Sequence, residues 1–139
     1  MKNYLEFFLD SLFRVSGEPE QMTEFVARFY ELFIGKSPRI ARYFAGTDMP
    51  GQIDMLGRSL HEMVEFSTTR VASERLRQVA LRHSRRDRDI PPDLYEEWLD
   101  NLLVAVREFD ERFNDEVELA WRIVLAPGIA YMKFRYDRS

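Results

Sequence analysis

The chain has 139 residues, enough for one domain with its own core, and its 45% hydrophobic content belongs to a folded protein rather than a disordered one. A formal charge of −4 excludes a nucleic-acid binder that works through a broad basic face, and the absence of cysteine removes disulfides, iron-sulfur clusters, thiolate zinc sites and a cysteine nucleophile together. No apolar run approaches the roughly 20 residues of a membrane helix, and charges interrupt the N-terminal stretch where a signal peptide would be uniformly apolar, so no membrane partner is expected and the cytoplasm is the expected location.

In chain order, Leu5, Phe8, Leu9, Leu12 and Phe13 repeat at helical spacing between Asn3 and Val15. Ser16-Gly17-Glu18-Pro19 stops that helix, with Gly17 suited to a left-handed exit and Pro19 to the first turn of the next. The second helix is expected from Pro19 to Ile34, with Met22, Phe25, Val26, Phe29 and Phe33 on its inner stripe and Tyr30 at the stripe's edge. Gly35 ends it. Ser37-Pro38 reads as the cap and first residue of a short third helix that delivers Tyr43-Phe44 to a corner.

After the Ala45-Gly46-Thr47 turn, Asp48-Met49-Pro50 restarts a helix to about Phe66, with Gln52, Ile53, Leu56, Leu60, Met63 and Val64 on one wide face. A fifth helix runs from about Ser73 to His83. Leu76, Val79, Ala80 and His83 fall there at i, i+3, i+4 and i+7, so the histidine closes an inward apolar stripe. Pro91-Pro92 begins a sixth helix carried by Tyr95, Trp98, Leu99, Leu102, Leu103, Val106 and Phe109. The last helix follows Asn114 and carries Val117, Ala120, Trp121, Val124, Ile129, Met132 and Phe134. Pro127-Gly128 in its middle should bend or loosen it, since an interior proline costs roughly 3 kcal/mol. No stretch alternates at period two for the length of a strand, and no repeat or low-complexity linker divides the chain. The expectation is an all-α single domain over residues 1–139, with about seven helices.

The sequence holds only two histidines, which makes a multi-histidine metal centre improbable. His61 lies nine residues after Gln52, about half a turn away on the helix wheel, and should face solvent. His83 has two readings on its residues alone: a core-edge histidine satisfied by a carbonyl, or a ligand for something inside the protein. Asp93, Glu96, Glu97 and Asp100 favour the dipole of the sixth helix and read as a solvated face. No phosphate-cradling glycine loop and no nucleophile with a histidine and acid partner is present by motif.

The order and separations of Phe29-Tyr30, Ser37-Pro38, Tyr43-Phe44, Gln52, Leu56, His83, Ile90-Pro91-Pro92 with Tyr95, and Ala120-Trp121 resemble those of bacterial haemoglobins and of the globin domain of flavohaemoglobins. The resemblance covers Phe25 to Met132. It implies a globin fold around a haem b pocket, with His83 as the proximal iron ligand and Phe44 wedged against the haem plane. Gln52 would stand over the distal position, Leu56 one turn on would close the pocket, and Tyr30 would be the distal tyrosine. Ile90 would pack on the proximal face, and Trp121 would match the tryptophan of the last helix.

Iron needs a neutral imidazole with one nitrogen free, so the other must donate a hydrogen bond, and the Val79 carbonyl one turn back is the expected acceptor. Hydrogen bonds from Tyr30 and Gln52 would hold a diatomic gas and slow its release. Apolar Phe44, Leu56, Val79 and Ile90 would exclude water.

Departures from the family pattern carry expectations too. SRRDRD between His83 and Ile90 is about two residues longer than the flavohaemoglobin-like turn, and its Arg85, Arg86 and Arg88 either pair with haem propionates or are simply solvated. Tyr95 matches a family tyrosine, yet Arg135 stands near where its glutamate partner should be, which argues against a peroxidase-like push on iron. With no flavin or nicotinamide domain after the last helix, redox turnover would need a separate reductase. The expected function is reversible binding of oxygen, nitric oxide or CO, for oxygen binding or nitric-oxide detoxification. The alternatives are a haem-free globin-like module or a haem-based sensor acting through a protein partner.

Overall fold

The computed structural model describes residues 2–138, and these form seven helices: α1 (Tyr4–Ser16), α2 (Pro19–Ile34), α3 (Pro38–Tyr43), α4 (Met49–Thr69), α5 (Glu74–His83), α6 (Leu94–Phe109) and α7 (Asp115–Arg135). No strand occurs among the described residues, and none of the helices is long and apolar enough to cross a membrane.

Short polar side chains open most of these helices by accepting from an N–H of the first turn that has no partner within the helix. Asn3 accepts from Glu6, Ser37 from Ile40, Asp48 from Gly51, Ser73 from Leu76 and Asn114 from Val117. The α1–α2 corner differs from the expected left-handed exit. Gly17 is right-handed at φ −65°, with its N–H on the Phe13 carbonyl at 2.8 Å. Glycine serves there because an added Cβ would lie 2.6 Å from that same carbonyl oxygen.

One further expectation is corrected. Helix α6 starts at Leu94, not at Pro91-Pro92, because Pro92 disfavours the helical region for Pro91 and the two prolines form a turn ahead of the helix. Helix α7 runs unbroken from Asp115 to Arg135 through Pro127. The carbonyl that the proline leaves without its helical donor belongs to Ile123, a 44% exposed residue, and the buried neighbours Val124, Leu125, Ile129 and Met132 hold the helix on the core. Gly128 lets α4 approach closely: a Cβ at that position would lie 2.8 Å from the Met63 methyl.

Helix α7 packs on α1 and α4, and α2 on α6. Trp121, Phe8, Phe25 and Phe29 are fully buried, with Phe8 edge-on to Trp121 at 4.7 Å between ring centroids. Burying each such ring contributes about 1.5–3 kcal/mol. The expected inner stripes were too wide at three positions: Leu9, Phe13 and Phe134 are exposed, the last beneath the Arg138 guanidinium. Helix α1 meets the core through the narrower line Phe8, Ser11, Leu12 and Val15.

A buried polar network ties both ends of the chain to this core. Trp121 Nε1 donates to Ser11 Oγ at 2.9 Å, Ser11 Oγ donates to Asp110 Oδ2 at 2.7 Å, and Arg14 donates twice to the same carboxylate. The Arg112 amide adds a further bond. Burial alone would raise the Asp110 carboxyl, but the bonds from Arg14, Ser11 and Arg112 outweigh it and hold its pKa below the ordinary value. Every member of the network is satisfied.

Candidate functional site

Helices α2 to α5, the start of α6 and the end of α7 leave between them a cavity of about 120 Å³ that opens to the surface. Tyr30, Phe44, Gln52, Leu56, Val79, His83 and Ile90 all line it. Seven residues nominated on five different stretches of sequence therefore meet in one cavity. Arg85 does not line it; its side chain is exposed on the turn beyond His83.

Each side chain reaches the pocket for a local reason. The α5 stripe behaves as its spacing predicts: Leu76 and Ala80 are buried, while Val79 and His83 open onto the cavity. Gln52 and Leu56 stand one turn apart on α4, and His61, half a turn round the helix from Gln52, is exposed. Phe44 caps the short α3 and packs edge-on against Tyr30 and Phe33, with centroids 5.5 and 6.0 Å away.

On one side of the pocket His83 Nδ1 lies 2.8 Å from the Val79 carbonyl. A carbonyl only accepts, so Nδ1 carries the proton and Nε2 keeps its lone pair. Nε2 has no hydrogen-bond partner among the described residues, and the ring borders the cavity. Burial lowers the histidine's pKa against the Val79 bond, which would raise it, and Arg88 lowers it further. The neutral ring is the resting form.

On another side Gln52 Nε2 donates to the Tyr30 hydroxyl at 3.0 Å. Burial pushes the Tyr30 pKa up to about 12 although the bond from Gln52 pulls it down, so the phenol stays protonated at neutral pH. Its oxygen is occupied as an acceptor, and its O–H has no acceptor among the described residues. The pocket thus combines one available imidazole lone pair, one available hydroxyl proton and walls that are mostly apolar.

Among the described residues no group of three or more His, Cys, Asp or Glu side chains could hold a bare ion. The donor set suits a flat apolar group that already carries its metal and asks the protein for one ligand.

Sequence reasoning missed several lining residues. Met55, Ser59 and Glu62 follow Gln52 at i+3, i+7 and i+10 on the same α4 face. The polar members hid that stripe. Glu62 accepts from Ser73 Oγ at 2.8 Å and so links α4 to the cap of α5. Tyr95 also lines the pocket, and burial raises its pKa. No carboxylate bonds its hydroxyl among the described residues, and the α7 residues on the lining are the apolar Ile129 and Met132.

The mouth is held by contacts remote in sequence. Asp89, left-handed at φ 54°, accepts at its carbonyl from the Tyr43 hydroxyl at 3.4 Å and at its carboxylate from the Tyr136 hydroxyl.

Among solved structures, the chain is similar to a protein from Pseudomonas aeruginosa described as structurally highly homologous to a human hemoglobin. The two share 35% sequence identity at a TM-score of 0.87, over 97% of this chain and 99% of that one. No family model matches the sequence, and no curated protein does.

Proposed function

The chain belongs to the globin family, in its bacterial haemoglobin-like branch, and from that premise we propose that it binds haem b and holds a diatomic gas in the pocket. The observation that carries the reading is His83: a neutral imidazole fixed by the Val79 carbonyl, its second nitrogen unpartnered among the described residues, bordering a mostly apolar cavity that the Tyr30 hydroxyl donor also lines.

His83 Nε2 would be the single protein ligand to iron, with the Val79 bond setting its tautomer and orientation. Phe44, Leu56, Val79 and Ile90 would pack on the macrocycle and keep water out. Haem supplies iron with a coordination position open to oxygen, nitric oxide or CO. Tyr30 would donate a hydrogen bond to a polar ligand held in the pocket, and Gln52 would fix the hydroxyl's direction, so that the ligand would leave slowly. Water exclusion protects the ferrous state.

Physiological work would be oxygen binding, or nitric-oxide detoxification with electrons from an external reductase. The haem-free alternative finds less support, because a module acting only through surface contacts has no use for an unpartnered His83 nitrogen and a Tyr30 hydroxyl lining one open cavity. The test is an absorption spectrum of the purified chain after haem addition, in ferric, ferrous and CO-bound forms. A strong Soret band that moves on reduction and again with CO is expected. A spectrum no different from free haem would overturn the proposal.

A further inference from the structure

The turn that follows His83 concentrates unpaired positive charge. Arg82, Arg85, Arg86 and Arg88 are all exposed, and none has an ion-pair partner among the described residues. Other exposed arginines, among them Arg39, Arg58 and Arg77, pair with Asp93, Asp54 and Glu74, and the exposed arginines without such a partner outside the turn, Arg42, Arg70, Arg107 and Arg112, are scattered along the chain rather than gathered in one turn. The whole chain carries −4, yet residues 82–89 hold four arginines against two aspartates. The turn is therefore locally positive on a chain whose net charge is negative.

The turn is also fixed. Arg88 N donates to the Arg82 carbonyl at 3.0 Å, Asp87 N and Asp89 N both donate to the Ser84 carbonyl, and Arg85 N donates to the Tyr136 carbonyl at 2.8 Å. It lies between His83 and Ile90, both of which line the pocket, so the arginines stand at the pocket's edge.

We propose that this arginine turn is the docking surface for an acidic electron-donor protein. The inference rests on the haem reading above and gives the external reductant a place and a charge. Long-range attraction orients an acidic partner onto the turn while the rest of the chain repels it. Asp87 and Asp89, interleaved with the arginines, oppose a uniform polyanion such as nucleic acid or an anionic bilayer but suit a protein surface of mixed sign. The transfer served is a single electron: a flavin hydroquinone anion loses it and becomes the neutral semiquinone, and ferric iron gains it and becomes ferrous. No bond forms or breaks.

The test titrates the whole chain with oxidised flavodoxin, a small acidic flavoprotein, and follows binding by calorimetry or NMR at low and at physiological salt. Wild type should bind, and more weakly as salt rises. R85E/R86E/R88E should lose affinity by on the order of tenfold or more, the neutralising R85Q/R86Q/R88Q by less, and the charge-matched control R58E/R77E/R122E should lose little. No binding by wild type, or an equal loss in the control, would overturn the proposal. So would tighter binding of the turn to single-stranded RNA or to phosphatidylserine vesicles than to flavodoxin. Haem uptake by each variant, read from the Soret band, is scored separately: absence of that band in wild type would remove the haem reading while the binding result still decides whether the turn docks an acidic protein.

Discussion

Gln52 donates its side-chain N–H to the Tyr30 hydroxyl oxygen at 3.0 Å, and this makes the tyrosine a donor toward the pocket and not an acceptor from it. An amide nitrogen can only donate, so the direction is fixed by chemistry. Burial, which raises the phenol's pKa to about 12, keeps the proton available. Tyr30→Phe removes the donor and is expected to speed oxygen release by on the order of tenfold, since one hydrogen bond contributes about 0.5–1.5 kcal/mol. Gln52→Leu, which leaves the hydroxyl free to turn, should have a smaller effect in the same direction. Stopped-flow displacement of oxygen by CO measures both; an unchanged off-rate in Tyr30→Phe would remove the hydroxyl from the account.

The network around Asp110 predicts a loss of stability far from the pocket. Arg14→Ala leaves a buried carboxylate with only Ser11 and the Arg112 amide, and should cost about 3 kcal/mol in urea unfolding. Asp110→Ala should cost less, because Arg14 is 26% exposed and can turn to water. Equal costs would contradict this division between the partners.

Acid should weaken the fold in two separate windows. Burial lowers the His83 pKa in the folded state, so the unfolded chain binds the proton more readily. Its contribution is complete above the unfolded value of about 6.5 and is lost as pH falls below it, toward the lower folded value. Asp110 is likewise depressed, but its contribution is lost only as pH falls below about 3.9. Urea midpoints of the haem-free protein measured across this range should fall first near pH 6.5, and His83→Leu should flatten that first step alone. A first step that survives the substitution would assign it to another group.

The mouth of the pocket can be read by proteolysis. Asp89 bonds to Tyr43 from α3 and to Tyr136 beyond α7, and trypsin-sensitive arginines lie just before it. Asp89→Ala removes the carboxylate and places an ordinary side chain at φ 54°, a left-handed conformation that costs it roughly 1–2 kcal/mol. Cleavage after Arg85, Arg86 or Arg88 should quicken, and Tyr136→Phe should show the same change more weakly. Identical cleavage rates in all three proteins would mean that these bonds do not hold the turn.

Much of the site was legible in the sequence because helical periodicity is local. Leu76, Val79, Ala80 and His83 share a face by spacing alone, and the Val79 carbonyl lies one turn before His83 in any α-helix. What joins distant segments was not legible. Tyr43, Asp89 and Tyr136 meet only because α3, the arginine turn and the end of α7 converge, and no local pattern encodes that. Glu62 and Ser59 were hidden because a polar residue on an inward stripe breaks the apolar count that reveals the stripe. At Pro127 local propensity works against the helix, and the packing of its buried neighbours carries α7 through it from Asp115 to Arg135.

The central claim is that His83 Nε2 is the protein's one ligand to haem iron, and replacing the side chain by a diffusible imidazole tests it most directly. His83→Gly opens the space beside Val79, and its ferrous and CO-bound spectra can be recorded before and after imidazole is added. The account predicts that the wild-type spectrum is lost in the variant and returns with imidazole. A variant that keeps the wild-type spectrum without imidazole would contradict it.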